Sequence, residues 1–223
     1  MQKSLYSILL LLIVSACNRN DPDSTIVPSI GKEFYPIKIG SLWEYKVDSI
    51  AYDDNSSTQA IDTFTYQYKE QVTDMYLDDL GIETYIINRW FRLNDSAEWY
   101  PARNYQTRIA DYKVERVEEN VRIVKLVLPL KDRNNWNGNM FNNKDYQIFK
   151  ILNYQTPLKI NGNTYNAMQV EESNIDNFVE EIKKNTWYGK GYGMIKMQYD
   201  SLNTQSTGTK GFRYTLTIHN YQP

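Results

Sequence analysis

The feature that most restricts the fold of this chain is a period of two. In LWEYKVDSIAY (Leu42 to Tyr52), Trp43, Tyr45, Val47 and Ala51 fall on one side of an extended chain, with Glu44, Lys46 and Asp48 on the other. Successive side chains of a strand point to opposite faces, so this alternation describes a strand with one dry and one wet face. After DDNSSTQ, the stretch IDTFTYQYKEQV repeats the pattern with Phe64, Tyr66 and Tyr68 together. The two read as a long hairpin. DDLG (Asp78 to Gly81) marks the next turn, ETYIINRWFRL the next strand, and NDSA turns the chain again. Further strands are expected near 112–117, 121–128, 146–152, 166–171, 194–201 and 212–219. Short strands at regular spacing predict an all-β, mostly antiparallel domain: an open or half barrel, alternatively a β-sandwich. At most one short helix is expected, in NIDNFVEEIKKN, where Ile175, Phe178, Val179 and Ile182 have helical spacing. The same stretch also reads as the lead-in to another strand.

Nothing covalent holds such a sheet together here. The chain has one cysteine, so no disulfide can form within it and packing must supply the stability. The material for that packing is 19 Tyr, 5 Trp and 7 Phe, rings that suit a pleated, half-buried surface. The formal net charge of −2 gives no electrostatic reason to expect nucleic acid as a partner.

The single cysteine closes an apolar run. Lys3 precedes the stretch from Leu5 to Ala16, and Cys17 follows it. A basic residue, a short apolar run and small residues before a cut site make a secretory signal peptide, and the run falls short of the roughly 20 residues of a membrane span. Ser15, Ala16 and Cys17 resemble the bacterial lipobox. That resemblance implies diacylglycerol on the Cys17 thiol and cleavage that leaves Cys17 as the new N-terminus. Asn18 stands where enteric-type bacteria use Asp to retain lipoproteins in the inner membrane, which implies an outer-membrane location, on the periplasmic face or the cell surface. The expected organisation is a signal peptide over 1–16, a lipidated tether over 17–33 rich in Asn, Asp, Ser, Pro and Gly, and one β domain over 34–223.

Chemistry is sparse. His219 is the lone histidine, and a zinc site needs several His or Cys ligands. The acidic doublets Asp53–Asp54, Asp78–Asp79, Glu118–Glu119, Glu171–Glu172 and Glu180–Glu181 invite comparison with glycoside hydrolases, whose two carboxyls face each other across one bond. Adjacent strand residues point to opposite faces, so a doublet is not such a pair. No catalytic residue, metal or cofactor is expected, and a hydrolase is the least favoured reading. DRNNWNGNMFNNKD reads as a long loop; as a recognition loop it would stack Trp136 on a sugar with Asn135 and Asn137 bonding its hydroxyls. TWYGKGYGM lacks the Gly-Lys-Ser/Thr ending of a phosphate loop and reads as a tight hairpin with Lys190 at its tip. Asp-Ser before a small or apolar residue marks Ser49, Ser96 and Ser201, and resembles an O-glycosylation sequon of some Gram-negative bacteria; it is also ordinary turn chemistry.

Three stretches, YPIKIGSLWEYKV, LPLKDRNNWNG and TWYGKGYGMIKMQYDSL, together resemble an uncharacterised family of Gram-negative surface lipoproteins. That resemblance implies one antiparallel β domain behind a lipobox and carries no activity with it. Gly40 before Trp43 is also similar to the opening strand of lipocalins, as Gly-x-x-Trp where they have Gly-x-Trp, and a half-open barrel like that of periplasmic lipoprotein carriers fits the strand pattern. The expected function is a non-enzymatic, lipid-anchored binding protein. Its apolar or amphipathic ligand would meet an aromatic concavity of Trp43, Tyr45, Phe64, Tyr66 and Tyr68. The alternatives are a filled core at those residues, and a glycan-binding or accessory module with an envelope-protein partner.

Overall fold

The computed structural model describes residues 30–53, 61–205 and 208–223. Cys17, the signal segment and most of the tether lie outside the described residues. The chain forms β1 (Leu42–Tyr52), β2 (Ile61–Leu77), β3 (Glu83–Arg92), β4 (Tyr100–Ala110), β5 (Lys113–Glu118), β6 (Val121–Val127), β7 (Asn135–Asn137), β8 (Ile148–Ile160), β9 (Asn163–Asp176), β10 (Glu180–Gly189), β11 (Gly193–Gln205) and β12 (Gly208–Gln222). All twelve belong to one sheet in the order β6-β5-β4-β3-β2-β1-β12-β11-β10-β9-β8-β7. Every pairing is antiparallel. The sheet curls until β6 and β7 meet, giving a nearly closed barrel. The expected all-β class holds, as a barrel rather than a sandwich. The helical spacing of Ile175, Phe178, Val179 and Ile182 belongs instead to the β9–β10 hairpin. There the Asn177 carboxamide oxygen accepts the backbone N–H groups of Val179 and Glu180 and fixes a tight turn. Local turn chemistry overrode the apolar spacing.

Register fixes which residues face inward, because directly opposed residues share a face. Tyr45 opposes Tyr68 and Val47 opposes Tyr66, while Leu216 opposes both Val47 and Met197. Tyr199 opposes Tyr214 and Lys184. These residues look into the barrel; Glu44, Lys46 and Asp48 look out. Charged side chains on the outer wall suit water and not hydrocarbon.

One end of the barrel is shut by the chain that enters it. Residues 30–41 cross beneath the strands, with a 3-10 turn at Lys32–Phe34. Phe34 is fully buried among Leu128, Leu130 and Val124, and the Tyr35 hydroxyl shares a 2.9 Å hydrogen bond with Thr107. Ile30 accepts from the Leu130 N–H at 3.0 Å and Glu33 from the Gly191 N–H at 2.7 Å. Gly31 lies so close to Leu130 that an added Cβ would meet it at 2.6 Å; only glycine fits this crossing. Antiparallel order places the β1–β2, β3–β4, β5–β6, β7–β8, β9–β10 and β11–β12 connections at the opposite end, which stays open among the described residues.

The seam between β6 and β7 has no ladder of its own. The Val124 N–H donates to the Gly138 carbonyl at 2.9 Å, and the Trp136 indole N–H donates to the Val124 carbonyl at 2.8 Å. Phe149 packs edge-on against Trp136 and lies over Gly138, where a Cβ would meet its ring at 2.5 Å. Trp136 is therefore no sugar platform. It is 6 % exposed, and both its ring and its N–H are committed to the seam. Asn137 is committed as well, its side-chain oxygen accepting from the Asn139 and Gln147 backbones; Asn135 is exposed. Trp136→Ala should cost about 3–5 kcal/mol, the range for deleting a large buried ring, measured by urea unfolding. A loss under about 1 kcal/mol would mean that the seam is held elsewhere.

Candidate functional site

Twelve strands enclose more room than an eight-stranded barrel, whose side chains just fill it. Three layers occupy the space here. The lowest is the plug of Phe34 and Tyr35. The middle layer is ionic. Glu70 on β2 accepts from Arg116 Nη2 of β5 at 2.8 Å and from Arg89 Nε of β3 at 2.9 Å, and Arg89 Nη2 also contacts it. Glu172 on β9 is reached by Lys125 of β6 at 3.1 Å, by Lys184 of β10 at 2.9 Å and by the Thr186 hydroxyl at 2.6 Å. Glu118, at the end of β5, lies 3.1 Å from Arg116 Nε. Aromatic faces brace the cations: Arg116 lies 4.3 Å from the Tyr105 ring centre and Arg89 4.7 Å from that of Tyr68.

The titration of these groups follows from their neighbours. Burial alone would raise the Glu70 carboxyl, but the charges and hydrogen bonds of Arg116 and Arg89 outweigh it and hold the group at about 2. Burial is likewise overcome at Glu172, by Lys125, Lys184 and Thr186, which hold it well below the usual carboxylate range. Glu118 is lowered too: against burial stand Lys125, Arg116 and Lys184. Glu118 thus lies within reach of cations from both centres.

The uppermost layer is aromatic. Tyr66, Tyr68 and Phe91 form one cluster with ring centres 5.3–6.1 Å apart. Tyr199, Phe212 and Tyr214 form a second at 5.2–5.9 Å. Ser49 and Val47 of β1 run between them. Beside the second cluster an open cavity of about 730 Å³ lies between β9 and the β7–β8 connection, lined mostly by polar side chains such as Asn139, Lys144, Asp145 and Glu172, with Ile148, Ile175, Ile182 and Tyr199 among them. Apolar side chains crown the rim: Phe64 is 52 % and Phe178 fully exposed, and Ile61 and Val179 stand beside them.

The five residues expected to line a concavity share the inner face of the first hairpin but divide by depth. Trp43 and Tyr45 are buried core, the indole donating to the Tyr192 carbonyl and the Tyr45 hydroxyl to that of Met194. Tyr66 and Tyr68 are half-buried in the mouth, and Phe64 is at its lip. Of the three Asp-Ser positions, Ser96 sits on the exposed β3–β4 turn. Ser49 and Ser201 face inward, opposite Tyr214 and Phe212. His219 is exposed on β12. Of the acidic doublets, Glu118–Glu119 and Glu171–Glu172 each send one member into the ionic layer. Asp78 caps a turn, accepting from the N–H groups of Leu80 and Ile82. Asp54 lies outside the described residues. The ionic layer itself was not anticipated, although Glu70 follows Tyr66 and Tyr68 at the same inward parity, as Arg89 does Ile87.

No family model matches this chain, and no curated protein matches it. Two solved structures are similar to it. A candidate lipoprotein from Parabacteroides distasonis ATCC 8503 shares 9 % identity, with 85 % of this chain and 98 % of that one covered at a TM-score of 0.44. A candidate exported protein with a YmcC-like fold, from Bacteroides fragilis NCTC 9343, shares 12 % identity, with 85 % and 99 % covered at 0.42.

The carboxylates of the ionic layer make stability depend on acid. Glu70 is lowered in the folded state, so its contribution is complete above its ordinary 4.5 and is lost as pH falls toward about 2. Glu70→Gln should remove that part of the acid sensitivity. At neutral pH it should also cost about 3–5 kcal/mol, because Arg89 and Arg116 are left buried without their anion. Urea unfolding of both proteins between pH 7 and 2 measures this; parallel pH curves would exclude Glu70 as the titrating group.

Proposed function

We propose that this chain is a non-enzymatic lipoprotein of the cell envelope, held to the outer membrane through Cys17, which takes the apolar part of an amphipathic ligand into the open mouth of its barrel. The observation that carries this reading is the one-ended barrel: shut below by Phe34 and Tyr35, and open above to two aromatic clusters. Aromatic and apolar walls with a few fixed polar groups are the usual make-up of a small-molecule site. The alternative of a wholly filled core fits Trp43 and Tyr45 but not the half-exposed rings above them. The glycan-binding alternative loses its platform with the burial of Trp136. The carboxylates of the interior support binding over hydrolysis, since each is ion-paired and held ionised, whereas a general acid needs a raised pKa.

The anchor and the mouth are tested separately. Radiolabelled palmitate should enter the wild-type protein in a Gram-negative host and be absent from Cys17→Ser; equal labelling would remove the anchor. The fluorescent apolar probe N-phenyl-1-naphthylamine should brighten on binding the chain from residue 17 carrying Cys17→Ser. Replacing Tyr66 and Tyr214 together by Ala should weaken that binding about ten-fold, from the loss of ring contacts of roughly 0.5–1.5 kcal/mol each. Unchanged affinity would place the probe outside the mouth.

A further inference from the structure

The ionic layer is more than the barrel wall requires. Its cations are Arg89, Arg116, Lys125 and Lys184; its anions are Glu70, Glu118 and Glu172. The carboxylates are all held low by their neighbours and the lysine at the deepest position, Lys125, is held up, so the layer carries one positive charge in excess. An unmatched charge inside a protein is costly unless an anion meets it.

The excess has a place. Between the Glu70 and Glu172 centres lies a small cavity of about 30 Å³, bounded by Arg89, Arg116, Lys125, Glu118, Tyr188 and Met197 among others. Three cations face one carboxylate there. The space holds about two water-sized atoms, as many as the two oxygens of a carboxylate. Arg116 Nε is buried with no hydrogen-bond acceptor in line, although Glu118 neutralises it from 3.1 Å. The layer is not sealed from solvent: the side chains of Arg89, Lys184 and Glu118 keep 15 %, 21 % and 31 % exposure. The Lys184 ammonium lies 5.6 Å from the centre of the Tyr199 ring, which belongs to the aromatic mouth.

We infer that the ligand of this mouth is a monoanionic amphiphile whose carboxylate-sized head seats among Arg89, Arg116 and Lys125 while its apolar part lies against the rings above. This inference rests on the amphipathic-ligand reading and adds the charge and orientation of the ligand. One monoanion brings the ionic layer to neutrality; a cationic head would add to the excess. Charge-assisted hydrogen bonds from guanidinium and ammonium groups are the strong ones, and here they would act away from bulk water.

The test compares ligands matched in tail and different in head. Dodecanoate, dodecanol and dodecyltrimethylammonium, each below its micelle concentration, are titrated against N-phenyl-1-naphthylamine bound to the chain from residue 17 with Cys17→Ser. Dodecanoate should displace the probe at least ten-fold more tightly than dodecanol, with the ammonium weakest. Lys184→Gln, at the most exposed of the four cations, should narrow the dodecanoate advantage to under three-fold while leaving dodecanol unchanged; Lys184→Arg should restore it. Should Lys184→Gln fail to fold, raising salt from 0.05 to 0.5 M on the unaltered protein should leave the advantage above five-fold, since a buried pair is screened little. Equal displacement by dodecanoate and dodecanol would overturn the inference and leave the amphipathic reading standing. Failure of all three to displace the probe would overturn both. Thermal unfolding with sodium acetate or inorganic phosphate separates the remaining case: stabilisation equal to that by dodecanoate at the same concentration would assign the centre to a free ion and overturn the amphiphile.

Discussion

The width of the barrel is the constraint on which the rest of the structure depends. Closing twelve strands makes an interior too wide for one layer of aliphatic side chains to fill from wall to wall, and an empty interior would forfeit the contacts that stabilise a core. This chain meets the problem with long side chains. Arg116 and Lys125 reach across the lumen to carboxylates of strands that are not their neighbours, joining β5 to β2 and β6 to β9, while Arg89 and Lys184 meet the same carboxylates from the adjacent strands β3 and β10. Tyr45, Tyr105 and Tyr188 fill the intervals with rings. The Lys125–Glu172 pair also spans the seam, where β6 and β7 share no ladder.

Buried ion pairs are a weak source of net stability, because desolvation offsets much of their attraction. Their value in this barrel is positional. A seam held, among the described residues, by one backbone bond, the Trp136 indole, the Asn142 amide on the Arg122 carbonyl and a salt bridge has few means of fixing register, and a slipped strand would strand a charge in the interior. Such a penalty specifies one arrangement where apolar contacts would tolerate several. The hydrophobic clusters then divide around the ionic layer. One, with Phe34, Trp136, Phe149 and Ile151, lies against the seam and plug; the other, with Trp43, Val47, Ile87 and Leu216, lies under the long central strands.

The legible part of this architecture was local. Alternation in β1, β2 and β3 gave both their existence and their inward faces, since Trp43, Tyr45, Tyr66 and Tyr68 repeat at a period of two. β5 and β6 lie near their expected bounds, β12 extends well beyond both ends of the expected 212–219, and the TWYGKGYGM turn is the β10–β11 connection. β4 was missed because YPARNYQTRIA has polar residues on both faces, as a strand does where one face meets water and the other a lumen rim. β10 was obscured because its start, EEIKKN, is charged on both faces. Trp136 was misread for another reason: nothing in its neighbourhood of asparagines announces that the barrel closes there, and closure is a property of strands far apart in sequence. The ionic layer shows the same limit. The parity of Glu70 and Arg89 marks each as inward, but only the curl of the sheet brings them to Arg116, 46 residues from Glu70.

The two ends of the barrel differ in a way that bears on orientation. Ile30, the first described residue, lies at the closed end, where its carbonyl accepts from Leu130. Twelve residues lie between Cys17 and Ile30, so the two are at most about 45 Å apart along an extended chain. An anchor at Cys17, as proposed, would therefore attach to the shut end, opposite the apolar rim of Phe64 and Phe178. Under the proposed reading an amphiphile therefore enters at the end away from the anchor, with its polar head toward the ionic layer in the interior.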